Sequence, residues 1–212
     1  MKNALQVLRA SVLDLWDHLV LVIACSLTWL ALVVLIIPGP PATVALFEMA
    51  ERLARREPLL EWRDYLRAVR ARFGLGWRWA AIVAPVVAIL LIDILAMPRI
   101  FSPTVAAPAQ WFFIVTLALW LVVNWYALAL LFQQKELSLR LALRNGAVLL
   151  LQHPLFTLVL TAVTLLLLWL GTILILVNLL FGPMLVALIG TRAVLDRLTL
   201  LRAAQPPAAP PP

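Results

Sequence analysis

Long apolar runs alternate with short arginine-bearing segments along this chain. The first run is Leu19 to Ile37, the second Trp77 to Met97 and the third Trp111 to Phe132. Each approaches the roughly 20 residues that a helix needs to cross a hydrocarbon core about 30 Å thick. A fourth run, Leu155 to Leu195, carries no charge except Arg192 and would measure about 60 Å as a single helix. A run twice as long as a bilayer must fold back. Gly171, Asn178, Gly182 and Pro183 are the breakers near its middle, so helices are predicted over 155–175 and 178–200 with a turn near 171–182.

The pattern specifies an all-α, polytopic integral membrane helix bundle, with one domain over 1–202 and a Pro/Ala-rich tail, expected to be disordered, over 203–212. No signal peptide is expected at the start, because Asp14, Asp17 and His18 interrupt the place of an apolar h-region. The span count turns on "PGPP" at 38–41. Pro40 and Pro41 suit a first helical turn, and Glu48/Arg52 and Glu51/Arg55 are Glu-before-Arg pairs four apart, so a helix is predicted over 41–56. If "PGPP" already lies beyond the first span, the bundle has five spans and its ends lie on opposite sides. If it is a turn from which a short second helix returns, there are six helices and both ends share a side.

Amphipathic segments precede several spans. In "LLEWRDYLRAVRARF", Leu59, Trp62, Leu66, Val69 and Phe73 follow one helical face, while Arg63, Arg67 and Arg70 line another. This predicts a helix lying in the membrane interface, with Gly74 to Gly76 as the bend into the second span. In "ELSLRLALRNGAVLLLQHP", Glu136, Arg140 and Arg144 form a thin charged stripe, with Gly146 and Pro154 placed near the next turn. A weaker version at the start has Leu5, Leu8, Val12, Leu15 and Leu19 on one side.

Composition supports a lipid environment. Hydrophobic residues make up 65% and charged residues 13% of 212, against about 45–50% and 25% in soluble domains. The net charge of +7 is concentrated beside the spans. These segments lack the interleaved aromatics of a nucleic-acid platform, so the electrostatic partner expected is a bilayer with anionic headgroups. Connections 38–76 and 133–154 and the C-terminal end with Arg197 and Arg202 are arginine-rich, whereas 98–110 carries only Arg99. The rich side is therefore expected to be cytoplasmic, with the C-terminus there.

Candidate chemistry is sparse. Asp93 is the acid inside a clear span, and Arg99 is near enough in sequence to pair with it; an ion or substrate role is the alternative. Asn124 is expected to hydrogen-bond between helices, as are Ser26, Thr28, Thr161, Thr164 and Thr172. Trp120, Trp125 and Trp169 are candidates to line a cavity. His18 and His153 stand at span beginnings without ligand spacing, so no metal and no cofactor are expected. No nucleophile elbow or phosphate loop occurs, and no enzymatic activity is expected. Arg63, Arg67, Arg70, Arg140 and Arg144 are the candidate partner- or lipid-docking residues.

The stretch "PGPPATVALFEMAERLARREPLLEWRDYLRAVRARFGLGW" resembles the YesL family of bacterial membrane proteins. The resemblance rests on Gly39, Pro40, Ala42 and Thr43, then Arg52, Arg55, Arg56 and Glu57, then Tyr65, Arg70 and Phe73; "LRLALRNGAVLLLQHP" and "LLFGPMLVAL" add weaker likeness. Pro41 and Glu48 depart from the family pattern. The resemblance implies a bacterial inner, cytoplasmic membrane location. It also implies a non-enzymatic accessory role in carbohydrate uptake beside an ABC-transporter permease, with no catalytic residues to carry over. The alternative reading is a small autonomous transporter or channel for a sugar or ion, alone or as a homo-oligomer, using Asp93 and Asn124.

Overall fold

A computed structural model describes residues 2–173 and 175–204. The side chains of Leu5, Thr172 and Arg202 and the tail from 205 onward lie outside the described residues. Among those described are helices α1 (Lys2–Asp17), α2 (Leu19–Val34), α3 (Gly39–Ala54), α4 (Trp62–Ala71) and α5 (Phe73–Ile100). They are followed by α6 (Pro103–Leu131), α7 (Leu139–Gln152), α8 (Pro154–Ile173) and α9 (Ile175–Ala204). The all-helical membrane bundle read from the sequence is thus the observed fold. Four of these helices are long and apolar enough to cross a bilayer: α5, α6, α8 and α9.

The first apolar run behaves differently from the other three. It ends as a helix at Val34, and its sixteen residues span about 24 Å, short of a 30 Å core. At His18 the chain bends by 93° between α1 and α2. After Val34 a tight turn places Ile36 at φ 62, an unfavourable conformation for a β-branched residue. Pro40 and Pro41 then open α3, where a missing N–H leaves no intrahelical bond unmade. Trp29 Nε1 donates to Thr43 Oγ1 at 3.1 Å, and Gly39 packs on Val33. α2 and α3 are therefore an antiparallel hairpin, the returning short helix of the six-helix alternative. Its tip, Val34 to Ile37, is apolar and exposed.

The remaining long helices pair in the same way. Trp79 meets Asn124 and Gln110 meets Ile94, which sets α5 and α6 antiparallel. Asn178 packs against Gly171, and Gly182 against Leu168, which sets α8 and α9 antiparallel. The fold-back lies between Gly171 and Asn178, inside the predicted interval. Gly182 and Pro183 lie inside α9 instead. Tyr126 Oη on α6 hydrogen-bonds Thr157 Oγ1 on α8 at 3.1 Å, and Trp125 Nε1 donates to the Val186 carbonyl of α9 at 2.8 Å.

Helix α3 is the centre of the bundle. Twelve of its sixteen residues are buried, and it touches α2, α4, α5, α6 and α9. Tyr65, fully buried on α4, donates to the Ala42 carbonyl at 3.1 Å. The buried face of α4 is Tyr65, Ala68 and Val69, so of the predicted Leu59, Trp62, Leu66, Val69 and Phe73 stripe only Val69 lies on the buried face, and the stripe as a whole is rotated from the bundle contact. Trp62 and Phe73 remain exposed. The helix carries three faces: bundle, apolar outer and basic. The sequence shows two of them because Tyr65 and Ala68 look amphipathic-neutral without their partner.

Two glycines read as turn formers prove to be packing residues. The bend into α5 lies at Arg72 (φ −98, ψ 13), and the Gly74 to Gly76 stretch is already helical. A Cβ on Gly76 would overlap the backbone of Pro40 and Pro41, and one on Gly146 would lie 2.8 Å from the Val123 carbonyl oxygen of α6. These are close helix crossings that only glycine allows. Gly74 faces open space. Gly76→Ala should therefore cost about 1–3 kcal/mol, whereas Gly74→Ala should be neutral or stabilise by about 0.5 kcal/mol. Thermal unfolding of the two variants in the same detergent checks the contrast.

Candidate functional site

Charge in a lipid-embedded chain is costly unless it is paired or reaches water. The structure sorts the arginines accordingly. One set turns inward at the end of α3. Arg72 presents Nε to Glu48 at 2.7 Å and Nη2 at 3.2 Å. Arg55 pairs with Glu51 and donates to Gln133 Oε1 at 2.8 Å. Arg52 donates to Glu57 at 2.6 Å. Of the two predicted pairs four apart, Glu51/Arg55 forms and Glu48/Arg52 does not. Arg72 claims Glu48 from the next segment, and the reversal of the chain at Arg56 (φ 55) brings Glu57 back to Arg52.

The electrostatics follow the burial. Desolvation raises the Glu51 carboxyl above its ordinary range, outweighing the lowering effect of Arg55 and Gln133. The hydrogen bonds they donate to Glu57 and Glu48 hold the Arg52 and Arg72 guanidiniums above theirs.

A second inward pair closes the same end. Arg192, the isolated charge of the fourth apolar run, donates through Nε to Asp14 Oδ2 at 2.6 Å. The Asp14 side chain is 5% exposed. The buried side of α1 therefore carries Val7, Leu8, Ser11 and Asp14, while Val12, Leu13 and Trp16 face outward. The leucine-faced reading of this helix is corrected in part: Leu8 is buried and Leu15 packs against the core, but Val12 faces outward, and the polar Ser11 and Asp14 share the bundle side. Asp14, Asp17, His18, Arg56, Glu57 and Leu60 line one depression. The start of α2, the ends of α3 and α6, the start of α5 and the last turns of α9 thus gather at one basic end.

The other set of cations faces outward from this end. Arg63, Arg67 and Arg70 are exposed on α4, and Arg140 and Arg144 on α7. Arg67 lies 2.8 Å from Asp64, but at 73% exposure this pair contributes little. Arg63, Arg70, Arg140 and Arg144 have no ion pair among the described residues. Asp64 accepts from the Glu61 N–H at 2.9 Å and fixes the start of α4. Beside these cations Leu59 stands 96% exposed at φ 58. Periodicity assigned Leu59 to an apolar helical face; only the left-handed turn before α4 makes it a projecting knob.

The intramembrane candidates are not brought together. Asn124 is buried, accepts from Trp79 Nε1 at 3.3 Å and donates to the Trp120 carbonyl at 2.8 Å. Asp93 is half-buried on the far half of α5 and makes no ion pair with Arg99 among the described residues. Both sit on one helix that runs on past Met97 through Pro98, so no turn brings Arg99 back. Thr28 and Thr164 bond carbonyls four residues back in their own helices, correcting the expected cross-helix bonds. The hydroxyls of Ser26 and Thr161 are buried with no partner among the described residues. Trp125 lines a small apolar cleft with Thr161 and Thr164, Trp120 has its Nε1 buried, and Trp169 is exposed. A larger cavity of about 360 Å³ lies among α2, α3, α8 and α9, lined by Trp29, Thr43, Phe47, Asn178 and Gly182. Among the described residues no three His, Cys, Asp or Glu side chains gather as metal ligands.

Removing one member of the Asp14–Arg192 pair leaves a buried charge alone. Arg192→Gln should cost about 3 kcal/mol, and Asp14→Asn in the same chain should recover part of that loss. Hydrogen exchange over residues 6–17 should lose protection in the single variant and regain it in the double. No protein family, curated protein or solved structure matches the chain.

Proposed function

We propose that the protein is a non-enzymatic accessory of a membrane transport assembly, which docks a partner at its basic end. The observation that carries this reading is the unequal treatment of the arginines. Four of them find carboxylates inside the fold, while Arg63, Arg70, Arg140 and Arg144 are exposed without ion pairs although acids are available nearby. Clustered free guanidiniums beside a projecting leucine suit an acidic partner surface with one apolar socket. The concentration of positive charge at this end supports a cytoplasmic orientation for it, with both α1 and the last turns of α9 on that side. The resemblance of residues 38–77 supplies the kind of partner, a permease of a bacterial carbohydrate-uptake system, and the inner membrane as location. The transporter reading has less support, because Asn124 is closed off by Trp79 and Asp93 lies on a different part of α5.

The test is mild-detergent capture of the tagged full chain from native membranes. Wild type should retain a sugar permease, and Arg63→Glu/Arg67→Glu/Arg70→Glu should retain about tenfold less of it. These exposed positions should leave the melting temperature nearly unchanged, within about 0.5 kcal/mol per site. Equal capture by both proteins, or capture of no permease by either, would overturn the reading.

A further inference from the structure

One groove at the basic end is unused by the proposed docking face of α4. It lies between the first turns of α5 and α7, with a volume of about 500 Å³, within the range of small-ligand sites. Arg78, Arg140 and Glu136 line it, with Leu75, Ala81 and Ile82 as its apolar wall. All three charged residues are exposed, and none has an ion pair among the described residues. Two cations and an anion therefore share one groove while standing too far apart to neutralise each other directly.

We propose that this groove binds one phospholipid with a primary-ammonium headgroup, phosphatidylethanolamine. Its phosphodiester takes the Arg78 and Arg140 guanidiniums, which are suited to phosphate oxygens. Its ammonium takes the Glu136 carboxylate. The headgroup carries one anion and one cation, matching the two signs of charge that line the groove. Phosphatidylglycerol would leave Glu136 facing an anion without a cation between them, and the quaternary ammonium of phosphatidylcholine has no N–H to donate. An acyl chain has a track as well. Arg78, Ile82 and Ile89 follow one side of α5, and both isoleucines are exposed. Trp77, exposed one residue before Arg78, is the residue type that settles at the headgroup level.

The site shares Arg140 with the unpaired arginines of the docking reading but none of the α4 cations Arg63, Arg67 and Arg70, so lipid binding is read separately from partner capture. The experiment is native mass spectrometry of the delipidated full chain titrated separately with phosphatidylethanolamine, phosphatidylglycerol and phosphatidylcholine. Wild type should bind the first about tenfold more tightly than the other two, the equivalent of one charge-assisted hydrogen bond. Arg78→Gln/Arg140→Gln should abolish that advantage, while Arg63→Gln/Arg70→Gln, which removes the same charge elsewhere, should keep it. Glu136→Gln should erase the preference over phosphatidylglycerol and leave phosphate binding intact. A melting curve for each variant distinguishes lost binding from lost fold, and Arg78→Lys/Arg140→Lys provides a second folded comparison with partial retention. Equal binding of the three lipids, or an unaltered preference in folded Arg78→Gln/Arg140→Gln or Glu136→Gln, would overturn the proposal.

Discussion

A helix whose last turns carry two glutamates and an arginine has to be buried in the middle of this bundle, and much of the rest is arranged around that requirement. The first two turns of α3 are small and apolar, from Ala42 to Phe47, and pack inside without polar cost. Its last turns bring Glu48, Glu51 and Arg52 with them. Leaving one such charge unpaired in a partly desolvated site costs several kcal/mol. The neighbours meet this demand from three directions: Arg72 from the start of α5, Gln133 from beyond α6, and Glu57 from the chain's own reversal. Each contact also fixes the position of the element that supplies it. Arg72 lies 5.9 Å from the Phe132 ring centre, so the same side chain joins α3, α5 and the end of α6.

The same constraint explains why glycine and proline cluster where α3 begins. Pro40 and Pro41 set the first turn and present a flat backbone surface, and Gly76 lets α5 approach it directly. A hairpin of two sixteen-residue helices is too short to expose charge on the far side of a hydrocarbon core, and its tip is free of charge. Val34 to Ile37 can thus face lipid, while every ionised group of the hairpin is gathered at the opposite end. Burial of α3 and polarity of the bundle are two consequences of one distribution of residues.

Much of this was legible along the chain, and the misses share a cause. The long apolar runs, the proline-led helix and the amphipathic segments before α5 and α8 follow from local periodicity, which needs no knowledge of neighbours. The Asp14–Arg192 pair joins residues 178 apart, and no local signal connects them. Arg192 was nevertheless conspicuous as the one charge of an apolar run, and an orphan at depth calls for a counter-ion. Gly76 and Gly146 carried the same ambiguity, since a glycine needed for close approach looks identical in sequence to one needed for a bend. The outward cations Arg63, Arg67, Arg70, Arg140 and Arg144 were readable as a group. Their division from the paired set was hidden, because Arg52 or Arg72 becomes structural only once a glutamate from another segment meets it.

Packing is uneven among the long helices, and this separates scaffold from periphery. Half of the most apolar window of α9 is buried, but only 11% of that of α5. An apolar helix so little covered by its own chain is stable where hydrocarbon covers it, since lipid tails solvate leucine and isoleucine as well as a protein core does. The exposed Ile82, Ile89 and Ile92 are therefore contacts in waiting with acyl chains, and α5 is the element through which the bundle meets its bilayer. Its first turns carry Arg72 toward α3 and Arg78 away from it. A single helix end thus serves both halves of the molecule, closing the buried charge network on one side and addressing headgroups on the other.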